Sequence, residues 1–376
     1  MSPISLGKLE IQIIKKLTEE SNFSSIARSL GVSKETIRRK IRAIEGSLGR
    51  LSLRVDLYAL GLSYIISLNK SRINQPAEIA LLDKLISSLY IRSVFSTYRI
   101  NNKYNVIAMT PPLKALDGYA MHLKALSGRK SDLYVTYPPI YWTPNLTYIK
   151  NFMDPFLYDW SELCKDIEKA PAILEINLKA ELKRNRDAID YIDLFILNQL
   201  EKDPLTSIRS IARKMGISQQ LAHYHYKNHV MPVILSRNLR IFLERGESVK
   251  GLLLVEFYRD SYLNKFTNVF ASLPHCLAML PDIFKPEVIL IYQVYANQYT
   301  DFVKAMFELK EIGIVKRIKD YGLLVKAIFT RKVLPWKYVL TPDGWVIEKF
   351  VKEALERKKL GCSLSKEIEV RLWERR

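Results

Sequence analysis

The nine residues SIARSLGVS at 25–33 return at 210–218 as SIARKMGIS, six of nine identical and without a gap. The offset is 211 minus 26, or 185 residues. Repetition over such a distance marks two copies of one folding unit, each long enough to hold a core. Any architecture assigned to one copy must therefore also serve the other.

The first copy sets the local plan. KLEIQIIKKL at 8–17 places Leu9, Ile13, Ile14 and Leu17 at helical spacing. Ser24 to Leu30 reads as a second short helix, with Ile26, Ala27 and Leu30 facing inward. Gly31 supplies the positive-φ corner of a tight helix-to-helix turn, and Ser33 caps the next helix. Ile37, Ile41 and Ile44 then form one apolar stripe, while the other faces carry Lys34, Arg38, Arg39, Lys40 and Arg42. Three short helices, a small residue at the crossing (Ala27) and a glycine corner make a helix-turn-helix.

A basic third helix fits the major groove of double-stranded DNA. Ser33, Lys34, Thr36 and Arg38 are expected at base edges or flanking phosphates. Arg39 and Arg42 are expected at phosphates, with Arg28 beside them. The plainer reading is a three-helix unit with a solvated basic face.

In the second copy IDYIDLFILNQL (189–200) is another amphipathic first helix, and Gly216 and Ser218 stand for Gly31 and Ser33. The third helix differs. His223, Tyr224 and His225 replace Arg38, Arg39 and Lys40, and only Lys227, opposite Arg42, keeps a charge. Either Arg213, Ser218, Gln219, Gln220, His223, Tyr224 and Lys227 make a second, weaker DNA contact, or the unit is structural or binds a partner. His223, His225 and His229 are three of the chain's five histidines. Residues two apart on a helix face different ways, so His223 and His225 do not share an ion, whereas His225 and His229, four apart, are on one face. The expectation is no metal.

Composition agrees with a polyanionic partner. Lys and Arg number 58 against 39 Asp and Glu, a formal net charge of +19. Cys164, Cys276 and Cys362 are far apart, which argues against a zinc ribbon or a disulfide framework and for a reducing compartment. The start, MSPISLGKLEIQ, lacks a signal-peptide core, and LSYIISL at 62–68 is far short of the roughly 20 residues that span a bilayer. A cytoplasmic, nucleoid-associated protein without membrane contact is expected.

Each helix-turn-helix is followed by the order β-α-β-β-α-β, the split plan of a ferredoxin-like sandwich. In the first copy these are 60–69, 77–89, two strands within 93–112, 113–126 and 130–139. In the second they are 251–258, 262–273, a hairpin within 276–296, 298–312 and 314–330. The fold class is thus α+β, with two copies of a (winged) helix-turn-helix and a ferredoxin-like domain. The units are 1–50, 51–140, an aromatic and charged linker over 141–185, 186–245, 246–340 and a helical basic tail over 341–376. Tyr141, Trp142, Tyr148, Phe152, Phe156, Tyr158 and Trp160 crowd the linker, as a packed connection or as a stacking surface for bases. WVIEKFVKEALERKKL in the tail reads as a helix docked on the body.

With these elements in order, the chain resembles the Lrp/AsnC (feast-or-famine) transcription regulators. The residues that carry this are LGKLEIQIIKKL, IARSLGVSKETIRRKIRAIE and LRVDLYALGLSYIISL, with Asp190 and Asp193 at the family's Asp-x-x-Asp spacing. The resemblance spans about 4–140 and 186–333. It implies a DNA-binding dimer whose sandwiches pair: a homodimer through the ferredoxin-like domains, or an intrachain pseudo-dimer. It also implies an amino-acid effector near a turn bearing Gly and Asp. Here the turns read INNKYN and IFKPEV, so the effector is left unknown.

The function expected is therefore a DNA-binding transcriptional regulator that reads the major groove mainly through its first unit. Siroheme decarboxylases resemble the same duplicated plan and offer an enzymatic alternative. Their hairpin carries a histidine shortly before a Tyr-Asn pair. Tyr104-Asn105 is present here, but Asn102 holds the histidine's place and 283–292 contains none. A chromatin or transcription-machinery adaptor is the third reading. No Ser-His-Asp order, phosphate loop or His-Glu-x-x-His motif occurs, so no enzymatic activity, catalytic residue or cofactor is expected.

Overall fold

A computed structural model describes residues 6–19, 23–47, 49–71, 88–127, 131–145, 147–149, 154, 156–173, 189–241, 248–330, 340–341 and 344–356. The helix expected over 77–89 falls almost wholly outside them. So do Phe152, Cys362, the stretch 174–183 and the end of the tail.

The first helix-turn-helix is α1 (Lys8–Glu19), α2 (Phe23–Ser29) and α3 (Lys34–Ser47). The expected stripe is its core: Ile13, Leu17, Ile26, Ile37 and Ile41 are buried together. Ile11, unnoticed in the periodicity, is also fully buried. The second is α6 (Tyr191–Lys202), α7 (Ile208–Met215) and α8 (Gln219–His225). A capping box between Asp190 and Asp193 starts α6.

Each third helix leads into a single strand, β1 (Gly49–Val55) or β6 (Ile234–Ile241). The two pair with each other, antiparallel from Gly49↔Ile241 to Val55↔Ile234. Among the described residues neither strand folds back on its own copy, and each copy supplies half of a shared ribbon. The units also interlock through the loop after α6, where Leu205 packs into the first unit's core.

The described elements of both sandwiches follow the expected order. The first contributes β2 (Ile65–Ser71), β3 (Ile91–Arg99), β4 (Asn102–Met109), α4 (Leu116–Ser127) and β5 (Ser131–Val135). After α5 (Leu163–Lys169) in the linker, the second contributes β7 (Ser248–Phe257), α9 (Asp260–Ser272), β8 (Cys276–Pro281), β9 (Glu287–Tyr295), α10 (Tyr299–Glu311) and β10 (Val315–Thr330). They merge into one antiparallel sheet of eight strands, in the order β5-β2-β4-β3-β10-β7-β9-β8.

The joint is β10, whose first half pairs with β7 and whose second half pairs with β3. The change of partner falls at Gly322, with φ at +96°, where a Cβ would lie 2.3 Å from the Tyr98 carbonyl oxygen. Only glycine allows that approach. At the far ends, Thr136 and Ile140 beyond β5 bridge to Asp282 and Met279 at β8. The sheet thus curls until its ends meet. Its inner face is a shared core that includes Ile66, Leu68, Val106, Leu252, Leu254 and Ile289.

The described part of the linker packs against the body. Trp142, Phe156, Tyr158 and Trp160 are buried, and Trp142 Nε1 donates to the Ser272 carbonyl at 2.9 Å. Those four rings present no face to a base. In the tail, a short pair of strands, β11 (Leu340–Thr341) and β12 (Gly344–Trp345), precedes α11 (Lys349–Glu356). Helix α11 docks on α4, with Phe350 stacked on His122 at 4.1 Å between ring centres. Among the described residues no helix is long and apolar enough to cross a membrane.

Candidate functional site

The corner of the first helix-turn-helix is built as its sequence dictates. Gly31 has φ at +65°, and the Val32 amide donates to the Ala27 carbonyl at 3.0 Å. Ser33 Oγ accepts from the Thr36 amide at 3.0 Å and lies 2.8 Å from Thr36 Oγ1. Both hydroxyls therefore serve the cap. Burial of Ile37, Ile41 and Ile44 turns the opposite face of α3 to solvent, leaving Arg28, Lys34 and Arg39 exposed and Arg38 half-buried. None of these four cations forms an ion pair among the described residues.

Two other basic residues of α3 are engaged inside the protein. Lys40 is paired with Glu10 on α1, which lowers the Glu10 pKa against the cost of burial. Arg42, expected at phosphates, reaches Asp203 of the second unit at 2.8 Å and Glu45 at 3.0 Å. Its guanidinium ties the two units together at the interlocking loop after α6, with the side chain still 54% exposed.

The second corner repeats the first. Gly216 has φ at +75°, and Ser218 Oγ accepts from the Leu221 amide at 3.1 Å. Arg213, Gln219, Gln220, His223, Tyr224 and Lys227 are exposed, so the polar surface proposed from sequence exists here with less charge. His225 and His229 leave that surface and turn inward, both against the Asp193 carboxylate.

Beneath the ribbon lies a cavity of about 440 Å³ between β1 and the inner face of the curled sheet. Apolar side chains from both sandwiches wall it, among them Ile66, Val106, Leu252 and Leu280. Four arginines line it, Arg50, Arg54, Arg92 and Arg240. Arg54 is fully enclosed, with Nη2 3.4 Å from the Pro138 carbonyl, and burial lowers its pKa to about 10. Arg92 donates from Nη2 to Glu201 of α6 at 3.0 Å, while its buried Nη1 has no hydrogen-bond partner. Burial opposes the Arg92 charge, but Glu201 outweighs it and the pKa rises. Arg240 lies over the Tyr141 ring at 4.9 Å.

Guanidinium groups in an apolar chamber suit a ligand with an apolar body and carboxylate or phosphate groups. The Arg92–Glu201 pair runs from the chamber to the second helix-turn-helix. Sequence reasoning missed this site because it rests on isolated arginines in three separate strands. The available signal was charge inside otherwise apolar strand stretches, LSLRVDL and ILSRNLRIF.

At the effector turns, Ile100 stands fully exposed at the first tip. An aspartate does close the second: Asp282, one residue before IFKPEV, accepts from the amides of Phe284 and Lys285 at 2.7 and 3.0 Å. Tyr104 packs edge-on against Tyr321, and Asn105 accepts from Ser96 Oγ at 2.8 Å. No histidine lies among the described residues lining the cavity.

Residues 189–228 match a family model described as winged helix-turn-helix DNA-binding. The chain therefore contains a winged helix-turn-helix DNA-binding domain, in its second copy. No curated protein matches the chain. Among solved structures, the siroheme decarboxylase NirDL is similar at 10% identity over 92% of this chain and 96% of that one, with a TM-score of 0.46. NirDL in co-complex with an iron-uroporphyrin III analogue gives 10% identity, coverage of 92% and 98%, and a TM-score of 0.47. The leucine response regulatory protein LrpA of Mycobacterium tuberculosis is similar at 16% identity over 35% of this chain and 91% of that one, with a TM-score of 0.25. The expectation of no enzymatic activity does not stand beside these neighbours, since the structures that span 92% of the chain are those of an enzyme.

Proposed function

We propose that the protein is a DNA-binding regulator whose grip on duplex DNA answers to an anionic ligand held between its sandwiches. The observation that carries the DNA-binding part is the cation set around the first corner: Arg28, Lys34, Arg38 and Arg39 make no internal ion pair among the described residues. Phosphate contacts from these groups provide affinity, and the exposed start of α3 reaches base edges. The second corner adds hydrogen bonding from Gln219, Gln220, His223 and Tyr224, with Arg213 and Lys227 at phosphates. The ribbon of β1 and β6 makes the two corners one body, so they meet DNA as a fixed pair.

The ligand part rests on the four arginines of the cavity and on the Arg92–Glu201 tie to α6. A carboxylate or phosphate on Arg92 competes with Glu201 and so loosens the second unit from the sheet. Electrophoretic mobility shift over a salt series tests DNA binding, because phosphate contacts make affinity fall steeply as salt rises. Affinity indifferent to salt refutes the reading.

The same arginine-lined chamber favours a second reading, chemistry on a bound polycarboxylate such as a tetrapyrrole. Added tetrapyrrole then shifts its absorption spectrum on binding, and Arg54→Ala with Arg92→Ala removes the shift.

A further inference from the structure

From the second helix-turn-helix we infer a divalent-metal site, made by Asp193, His225 and His229, that locks its third helix to its first. Helix α8 ends at His225 and continues through one π turn, Tyr226–Val230. That wider turn swings His229 alongside His225, with ring centres 5.1 Å apart and planes at 82°. Both rings aim Nδ1 at the Asp193 carboxylate: His225 Nδ1 is 2.9 Å from Oδ1, and His229 Nδ1 is 3.0 Å from Oδ2. One ligand atom from each residue lies within 4.8 Å of the other two. Asp193 is fully buried on α6, fixed by the Asp190 amide at 3.0 Å, and His229 leaves an opening to solvent.

The first copy shows what this place asks for. By helix alignment, Glu10 corresponds to Asp193 (193 minus 10 is 183) and Lys40 to His225 (225 minus 40 is 185). There the Lys40 ammonium sits on the Glu10 carboxylate, and buried Ile44 fills the position of His229. In the second copy the fixed cation is gone and two imidazoles stand in its place. Among the described residues the buried carboxylate of Asp193 there faces no lysine or arginine across the helices. A cation restores the balance that Lys40 supplies in the first copy.

Two imidazole nitrogens and one carboxylate oxygen make a set for a borderline divalent ion, Zn²⁺ above all, with water or the Asp190 carboxylate in the fourth position. Asp190 Oδ1 is 3.7 Å from His225 Nδ1. His223, exposed on the outer face, takes no part. The bound metal fixes the angle of α8 against α6 and so the surface that Gln219, Gln220 and Tyr224 present.

The test is a titration of the EDTA-treated full-length protein with Co²⁺ alone, read by visible absorption, followed by displacement with Zn²⁺. The expected result is one-to-one uptake with the intense bands of a tetrahedral site, retained in His223→Ala and lost in His229→Ala. The His229→Ala variant keeps the Asp193–His225 contact that mirrors Glu10–Lys40, and circular dichroism in EDTA reports whether it is folded. If it does not fold, His229→Gln serves the same comparison. Wild-type protein that takes up no Co²⁺ overturns the inference. So does a folded His229 variant that binds Co²⁺ as tightly as wild type, or a loss of binding in His223→Ala equal to that in the His229 variant.

Discussion

Replacing Arg38 and Arg39 together by alanine separates cations that are available to DNA from those already engaged. Four side chains around the first corner lack an internal ion pair among the described residues, whereas Lys40 and Arg42 hold Glu10 and Asp203. Each phosphate neutralised contributes about 0.9 to the slope of log affinity against log salt, so four contacts give about 3.6 and losing two removes about 1.8. Over a fourfold rise in salt, from about 50 to about 200 mM, that difference is roughly 1.1 log units. The double variant should therefore lose about twelvefold less affinity than wild type across that range, from a weaker starting point. Arg42→Ala should leave the slope nearly unchanged. Mobility shift or fluorescence anisotropy on one duplex at several salt concentrations reads both values. An Arg42→Ala slope that drops as far as that of the double variant would show that the internal pairing does not hold in solution, and the assignment of available cations would fail.

Leu205→Ala removes the side chain that plugs the second unit into the first unit's core, and it should cost about 2–4 kcal/mol in denaturant melts. A loss near zero refutes the interlock. Gly322→Ala places a methyl against the Tyr98 carbonyl at a positive φ, and should lower stability by about 2 kcal/mol or more, measured the same way. Wild-type stability in that variant would mean that β10 does not change partner there. Burial raises the Asp282 pKa from 3.8 to about 6, so the folded state holds this proton more tightly than the unfolded chain does. Its contribution is therefore complete below about pH 4 and is lost as pH rises to about 6, a change on the order of 3 kcal/mol. Asp282→Asn should flatten that part of the stability profile, and an unchanged profile rejects the assignment.

The helix-turn-helix units were legible because several local signals coincide in them. Gly31 with Ser33, and Gly216 with Ser218, mark corner and cap, and the isoleucine stripe fixes the buried face. The strand order was legible because apolar runs alternate with helical periods. Pairing of the sandwiches within the chain was one of two expectations, but which edges meet was not legible. That β3 meets β10, and β1 meets β6, depends on edges whose side chains carry no sequence address. The Arg42–Asp203 pair was not legible, because its two members lie 161 residues apart. Helical spacing paired His225 with His229, but Asp193 joins them from another helix, through a π turn that no periodicity announces. The cavity arginines come together only when the β1–β6 ribbon, which carries Arg50, Arg54 and Arg240, lies against β3, which carries Arg92, so three separate strands had to be in place before they read as one site.

The two copies meet along β1–β6 and β3–β10 inside a single polypeptide. In an assembly of identical subunits every mutation is written twice, once on each side of the axis. Here a codon alters one side only. The two corners are thus free to differ, and they do: arginines stand on the outer face of one third helix where the other carries histidine and tyrosine.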